Sequence, residues 1–480
     1  MLFSHRYLVT LLSSTLRAAL NFAVSIQVAG YLMPQLYGSY QYILTICTAV
    51  LLFINMSTEN AFFTFISKKK QHVNFYISYF LWQLIQISFV LAFFFLLHKD
   101  LYALFFKDFS IGLVSIALGA SFFIGNIQNT LNHITESIRK TYVSQLLSIF
   151  IAVIHFIAIL TLINFDSLTL SLLFSILFLE YLLYSVIIIA VLKKYSSMIF
   201  NQDDFVLEDM VNKFYIYCKP LFILGIFSFL YIFVDRWLIQ TYVGSEGQAF
   251  FSISVQFATF TMLITSSVLK IFWKEITESI EMKDHNKTSR YFIVVSKHIF
   301  IISCLISTIL FFFSDQILSY FYPDSYSGAS LVFKLMMLYP ILQSMGQLYS
   351  VFLFGAEQTK LYKDISICVA ILSILLAILL LSDFGLNFGV EGIAIKLLVV
   401  NVLNLLILEY FIARFLNIKT YYLSKLGYFM LSFCGAFIFY KLQFFLNLHF
   451  LLEMIFVIVL YIMPFGLYLF NSMKKQLNIF

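Results

Sequence analysis

The sequence predicts an all-α polytopic membrane protein of about 14 transmembrane helices, arranged as two six-helix lobes plus a trailing helix pair. Three observations carry that prediction. Of 480 residues, 61% are hydrophobic and only 11% are charged, a balance foreign to water-soluble globules. Apolar runs of about 20 residues recur along the whole length, the spacing that a hydrocarbon core roughly 30 Å thick demands of helices rising about 1.5 Å per residue. Segments such as 367–381 are apolar on all sides, whereas a lipid-spanning strand would alternate with a period of two.

The first span, 7–32, opens on MLFSHRYLVTLLSS with Arg6 as a basic flank. It runs on past Arg17 and Asn21 to Leu32 without a small-residue cleavage site, so it reads as a retained helix and not as a signal peptide. Further spans are expected at 36–58, 76–97, 110–133, 142–164, 168–192, 219–240, 248–270, 291–313, 329–354, 365–382, 390–412, 424–440 and 450–471. The thirteenth has Lys425 at its edge. The longest inner loop divides the chain into an N-lobe (1–192), a cytoplasmic linker (193–218), a C-lobe (219–412), and a last pair of spans with a cytoplasmic tail (413–480). A weak internal repeat agrees with this division. The turn from Tyr31 to Tyr40, YLMPQLYGSY, and the turn from Tyr242 to Phe251, YVGSEGQAFF, follow the first and seventh spans with the same order of aromatic, aliphatic, turn, small and aromatic residues.

Lysine and arginine are retained on the cytoplasmic side of spans, and their distribution orients the chain. One alternating set of connections carries Lys68, Lys69, Lys70, Arg139, Lys140, Lys193, Lys194, Lys213, Lys219, Lys274, Lys283, Lys287, Arg290, Lys360, Lys363, Arg414 and Lys419, with Arg6, Lys474 and Lys475 near the ends. The opposite set carries only Lys99, Lys107 and Lys441. Both termini are therefore expected in the cytoplasm, with an even number of spans. The loops are too short to fold a soluble catalytic domain, so function is expected inside the bundle.

Several charges remain within the spans. Arg17, about ten residues from the inner end of the first, is too deep to snorkel and is expected to line a cavity. Arg236, Lys334 and Lys396 lie about five residues from the outer ends of the seventh, tenth and twelfth spans, where pairing with an acid or snorkelling outward is the structural alternative. Lys297 sits deeper than an end position, while Lys270 and Lys425, at inner ends, are suited to snorkelling. Asp235 does not automatically neutralise Arg236, because adjacent helix positions point about 100° apart. Glu180, near the middle of the sixth span, is either a coupling proton site or a charge partner for one of these cations. Buried base outnumbers buried acid in this reading, which suits a passenger carrying phosphate.

Enzymatic constellations are thin. Asp203 and Asp204 read as a solvated acidic face, and His98, His133, His155, His298 and His449 share no ligand spacing. Cys47, Cys218, Cys304, Cys368 and Cys434 lie far apart and suggest neither metal nor disulfide framework. No phosphate-binding glycine loop occurs. The chain is thus expected to be no enzyme, to carry no metal or cofactor, and to bind no nucleic acid.

The layout of six, six and two spans, the opening SSTLRAALNFAVSIQVAGYLMPQLYGSYQY and the half-way stretch YIFVDRWLIQTYVGSEGQAFFSISVQF resemble the bacterial polysaccharide transporters. These are the O-antigen-type lipid-linked oligosaccharide flippases of the multidrug/oligosaccharidyl-lipid/polysaccharide exporter superfamily. The resemblance implies a V-shaped, two-lobed exporter in the bacterial inner membrane that carries an undecaprenyl-diphosphate-linked oligosaccharide, an O-antigen or capsule repeat unit, from the inner to the outer leaflet by alternating access. It also implies a cavity lined by the first, second, seventh and eighth helices, with Arg17 and Arg236 as diphosphate contacts and Lys270 as a gate at the inner mouth. By similarity to the lipid II flippase branch, the last two spans would form a groove for the polyprenyl tail. Membrane lipid and polysaccharide-assembly enzymes are the implied partners. The second turn departs from the pattern, having Ser245-Glu246-Gly247 and no proline to match Pro34. A lipid II flippase and a multidrug extruder of the same superfamily are the alternatives, the second disfavoured by the base surplus. A polysaccharide polymerase would hold arginines in a long outer loop, and loop 314–328 has neither arginine nor lysine.

Overall fold

The computed structural model describes residues 3–106, 109–201, 204–262 and 275–446, together with Leu269 and Phe272. Lys107, Asp203, Lys270, Lys274, His449, Lys474, Lys475 and the span expected at 450–471 lie outside the described residues. Helix α1 (Phe3–Asn55) holds the first two spans in one run, broken at Met33 (φ 59°, ψ 169°) immediately before Pro34. Proline lacks a backbone N–H and crowds the residue before it out of the helical region, so the chain breaks there. Next come α2 (Thr58–Lys68), α3 (Val73–Leu96) and α4 (Lys99–Phe106). The fourth span is α5 (Ile111–Phe122), a π turn at Phe123–Ile127 and α6 (Gln128–Ser137). Helices α7 (Thr141–Asn164) and α8 (Leu170–Leu192) follow.

After the short α9 (Ser196–Ile199), α10 (Leu207–Leu238) supplies the seventh span and begins about three turns before its apolar part. A π turn (Ile239–Val243) leads to α11 (Ser245–Thr261). The ninth span is α12 (His285–Phe312), followed by α13 (Ser314–Phe321). Helices α14 (Ser330–Met336) and α15 (Tyr339–Gly355) meet at a bend of 42° and are long and apolar enough for a crossing only when taken together with the turn at 324–329. Helices α16 (Thr359–Leu381), α17 (Gly389–Leu416) and α18 (Tyr422–Leu446) complete the described chain. Among the described residues 10 helices are long and apolar enough to cross a membrane, or 11 with the bent pair. Dividing α1 at Met33, and counting α11 as the start of 248–270, every expected span through 424–440 coincides with a helix.

Contacts separate two compact units, residues 1–249 and 250–480. This boundary falls later than the linker drawn at 193–218, because α10 packs along α1. In the first unit α1 also lies against α7 and α5, and α8 against α5 and α7. Their core includes Tyr42, Phe62, Tyr79, Phe106, Phe174 and Tyr184. In the second unit α12 packs on α18 and α15, and α17 on α16 and α15, around Phe292, Cys304, Leu348, Phe352 and Ile412.

Contacts between connections check the order of the spans. Strands β1 (Gln71–His72) and β2 (Phe200–Asn201) form a two-residue parallel pair. Lys70 Nζ donates to the Ser197 carbonyl at 2.7 Å, and Asn201 Nδ2 to the Lys70 carbonyl at 3.1 Å. Trp237 Nε1 donates to the Leu104 carbonyl at 3.1 Å. The contacts of Lys70 and Asn201 join two connections expected on the same side, and that of Trp237 joins the connection after the third span to the end of the seventh span expected on its side.

Candidate functional site

In the first unit, α1 brings Arg17 to the face of α8 that bears Tyr181 and Tyr184, within electrostatic reach of both phenols. Arg17 is half-buried, and no carboxylate among the described residues pairs with it. Tyr184 is fully buried, and its hydroxyl donates to Asn132 Oδ1 at 2.5 Å. Glu180, 6% exposed, does not meet a lysine or an arginine. Its Oε2 stands 2.8 Å from His155 Nδ1 on α7, off the line of a hydrogen bond. The sequence signal for this pair was present: His155 and Glu180 sit at roughly mirrored distances from the connection at 165–169, as facing residues of two antiparallel helices must.

Nearer the side of Trp237, the two repeated turns come together. Gly38 approaches Ser245 so closely that a Cβ built on Gly38 would fall 1.6 Å from the Ser245 carbonyl oxygen. Ser39 Oγ lies 3.0 Å from Ser245 Oγ, which also accepts from Gln240 Nε2 at 3.0 Å. Arg236 is held on the other flank: its Nη1 donates to Gln248 Oε1 at 3.1 Å, and Gln248 Nε2 donates back to the Arg236 carbonyl at 2.5 Å. Asp235 and Tyr37 are both buried and lie within electrostatic reach of Arg236. Tyr37 in turn meets Ser25 Oγ at 2.7 Å and Gln41 Nε2 at 2.9 Å. Where the first turn uses Pro34, the second uses the π turn and Gly244 at φ 90°, a conformation that glycine reaches without a Cβ penalty.

A third cluster escaped the sequence reading. On α6, His133 Nε2 lies 3.1 Å from Glu59 Oε1 of α2, and its Nδ1 is 3.7 Å from Glu136 Oε2. The imidazole stacks on Phe63 with ring centroids 4.4 Å apart. The spacing of His133 and Glu136 puts them on one helix face, whereas Glu59 arrives from a different helix and left no local signal.

In the second unit Lys396 is fully buried on α17, and Lys334, half-buried on α14, holds its Nζ 5.2 Å from the centroid of Phe311. Lys297 is exposed, with its Nζ 5.4 Å from the ring of Tyr428. Lys425 does not snorkel. Its Nζ lies 2.6 Å from Glu409 Oε2 and 2.5 Å from the Tyr349 hydroxyl, which donates to the same carboxylate oxygen at 2.8 Å. Glu409 Oε1 accepts the Tyr421 backbone N–H at 3.0 Å. Among the described residues the carboxylates of Glu180, Asp235 and Glu409 are buried, whereas Lys396 is the sole lysine or arginine buried to that degree. Among the fully buried described residues acid thus outnumbers base, against the expectation from the sequence, because Arg17, Arg236 and Lys334 are only half-buried. No group of three or more metal-ligating side chains occurs among the described residues.

No protein-family model matches the chain, and no curated protein matches it in sequence. Solved structures do resemble it. The lipid II flippase MurJ in an inward closed conformation aligns with a TM-score of 0.73 at 16% identity, covering 98% of this chain and 100% of that one. An inward-facing multidrug resistance MATE transporter of the MOP superfamily gives 0.63 at 13% identity, with 83% and 95% covered. A MOP superfamily transporter from Pyrococcus furiosus, described by the reverse polarity of its binding pocket, gives 0.57 at 13% identity, with 86% and 94% covered. What is shared at these identities is the fold. The chain is an all-α, multi-pass membrane protein with the fold of these MOP transporters.

Proposed function

We propose that this chain is a flippase that moves a polyprenyl-diphosphate-linked oligosaccharide, an O-antigen or capsule repeat unit, from the cytoplasmic to the outer leaflet of the bacterial inner membrane by alternating access. The observation that carries the reading is Arg17, a half-buried guanidinium that faces phenols and no carboxylate. Such a group offers a planar fork to a diphosphate. Similarity in fold to a lipid II flippase supports a lipid-linked passenger. Arg236, Lys334 and Lys396 are assigned as further charge along the path, Lys270 as the inner-mouth residue, and Asp235 and the Glu180–His155 pair as coupling or balancing groups. The organisation proposed is two six-span lobes with a trailing pair, both termini cytoplasmic, working beside polysaccharide-assembly enzymes.

The test uses a strain lacking the chain, in which lipid-linked oligosaccharides are extracted after treatment with a membrane-impermeant sugar-oxidising label. Complete units shielded on the inner face, released by the intact protein but not by Arg17→Ala, are expected. Arg17→Lys keeps the charge without the fork and is expected to restore only part of the flux. Units accumulating on the outer face would overturn the assignment. A drug extruder is the second reading, favoured by the acids Glu180 and Glu59, which suit a cationic passenger, and by the fold of the MATE transporters. Drug sensitivity of the deletion strain with unaltered surface polysaccharide would select it. Lethality of the deletion would select peptidoglycan precursor as the passenger.

A further inference from the structure

The second span is interrupted near the end that leads to the lysine-rich loop at 68–70. Helix α1 stops at Asn55 and α2 starts at Thr58, and between them Met56 (φ 49°) and Ser57 (φ 63°) both take the left-handed conformation. Neither is glycine, so each holds that conformation at a cost that neighbouring contacts must offset. Buried side chains supply those contacts. Asn55 Oδ1 accepts the Thr58 hydroxyl at 2.9 Å and the Glu59 backbone N–H at 3.1 Å, capping α2 across the break. From α3, Gln86 Nε2 donates to the Ile54 carbonyl at 2.7 Å, one of the acceptors left free where α1 stops.

His133 reaches this break from the fourth span. Its Nε2 lies 3.1 Å from Oε1 of Glu59, in the first turn of α2, where the helix dipole favours a carboxylate. Its Nδ1 is buried, makes no hydrogen bond, and stands 3.7 Å from Glu136 Oε2. Stacking on Phe63 sets the ring between the two acids. The other elements packed on α2 and α6 bring uncharged groups: α3 the Tyr79 phenol near Glu59, α7 the Ser144 hydroxyl on Thr135, α8 the Tyr184 hydroxyl on Asn132, and α10 the Tyr217 hydroxyl on Thr64. The π turn at Phe123–Ile127 carries no titratable side chain. Among the described residues no lysine or arginine pairs with Glu59 or Glu136, Arg139 and Lys140 of the next connection included.

A neutral imidazole has one N–H and one bare nitrogen, so in this setting one carboxylate would face a lone pair. The doubly protonated ring presents an N–H to both. We propose that His133 is a proton-binding site that braces the break in the second span. With a proton on each nitrogen it ties Glu59, and with it the start of α2, to the fourth span. When Nδ1 releases its proton to water on the side of the lysine-rich loops, the ring keeps the Nε2–H and loses its charge. The tie to Glu59 then falls to an ordinary hydrogen bond, and the break is free to change its bend. The site is separate from Arg17 and from the Glu180–His155 pair, and it stands whichever passenger is carried.

The test uses the full chain reconstituted in lipid, its five native cysteines replaced, with spin labels at Thr48→Cys and Ser67→Cys, exposed positions on α1 and α2. Their separation is measured by pulsed electron resonance from about pH 6, above the ordinary carboxylate range, to about pH 10. One narrow distance is expected at the acid end, giving way to a broad or displaced distribution as the pH rises. Solid-state NMR of the chain with isotope-labelled histidine, where the His133 signals are those missing from His133→Gln, is expected to show the ring passing from two protons to one over the same interval. His133→Arg, which keeps a charge and a donor for each acid, is expected to hold the narrow distance throughout. His133→Gln is expected to give the broad distribution at every pH. A separation in the parent that does not change, or that changes while the ring does not, would overturn the proposal. So would a His133→Arg chain that follows pH as the parent does. The distance titration of the parent needs no substitution at the site, so it decides the matter even where a variant fails to fold.

Discussion

The half-buried Lys425 shows how a charge at a span end is decided by its neighbour. An ammonium at that depth would ordinarily stretch toward the headgroups, yet here it turns onto Glu409 and Tyr349. Removing one member leaves the other buried and uncompensated. Lys425→Ala is therefore expected to destabilise by about 3–5 kcal/mol, whereas Lys425→Met with Glu409→Leu should recover most of that loss. Thermal unfolding in detergent checks both, and a double variant no more stable than the single would reject the pairing as the cause. Glu409 and Lys425 likewise lie on consecutive helices either side of one connection, at 417–421, though at unequal distances from it. Both pairs were within reach of the sequence once consecutive spans are folded back on one another. Reading each span separately identified Glu180 and Lys425 but not the residues that face them.

At the scale of elements, the two repeated turns do the same job with different chemistry. Pro34 breaks the first, and a π turn with Gly244 at positive φ forms the second. Sequence comparison of the turns suggested kinship, while their contact through Gly38 and Ser245 appears only in three dimensions. Gly38→Ala must push the turns apart, and a loss of about 1–3 kcal/mol is expected, typical of overpacking. Its melting temperature, compared with that of Gly30→Ala, where nothing lies near the added methyl, isolates the contact. If these turns separate during transport, Ser39→Cys with Ser245→Cys, in a chain freed of its five native cysteines, should stop flux on oxidation and regain it on reduction. A protease site placed near 195 reports the cross-link on a gel. Full flux in cross-linked protein would show that the turns stay together throughout the cycle.

For the whole molecule, the lysine-rich loops predict which way the chain faces, and the contact of Lys70 with Ser197 agrees with two connections expected on one side, as that of Trp237 with Leu104 does with the end of the seventh span expected beside the connection after the third. Absolute orientation is open to a direct measurement. Lys69→Cys and Asp100→Cys both lie on exposed positions beyond opposite ends of α3. An impermeant maleimide added to intact inverted or right-side-out vesicles should label Asp100→Cys from outside and Lys69→Cys from the cytoplasmic face. The reverse pattern would turn the assigned direction of transport around.

The sequence by itself determined that the protein is a bundle of membrane-crossing helices and roughly where the spans of the described chain lie. These follow from transfer of about 20 neighbouring residues into hydrocarbon, a sum over local side chains that needs no tertiary contact. Only the tertiary structure decided which polar groups meet: His155 on Glu180, His133 between Glu59 and Glu136, Arg236 on Gln248, Lys425 on Glu409. Such meetings depend on how each helix is rotated about its axis and which helix it packs against. Hydropathy is nearly uniform around these spans, so it records almost nothing of that rotation.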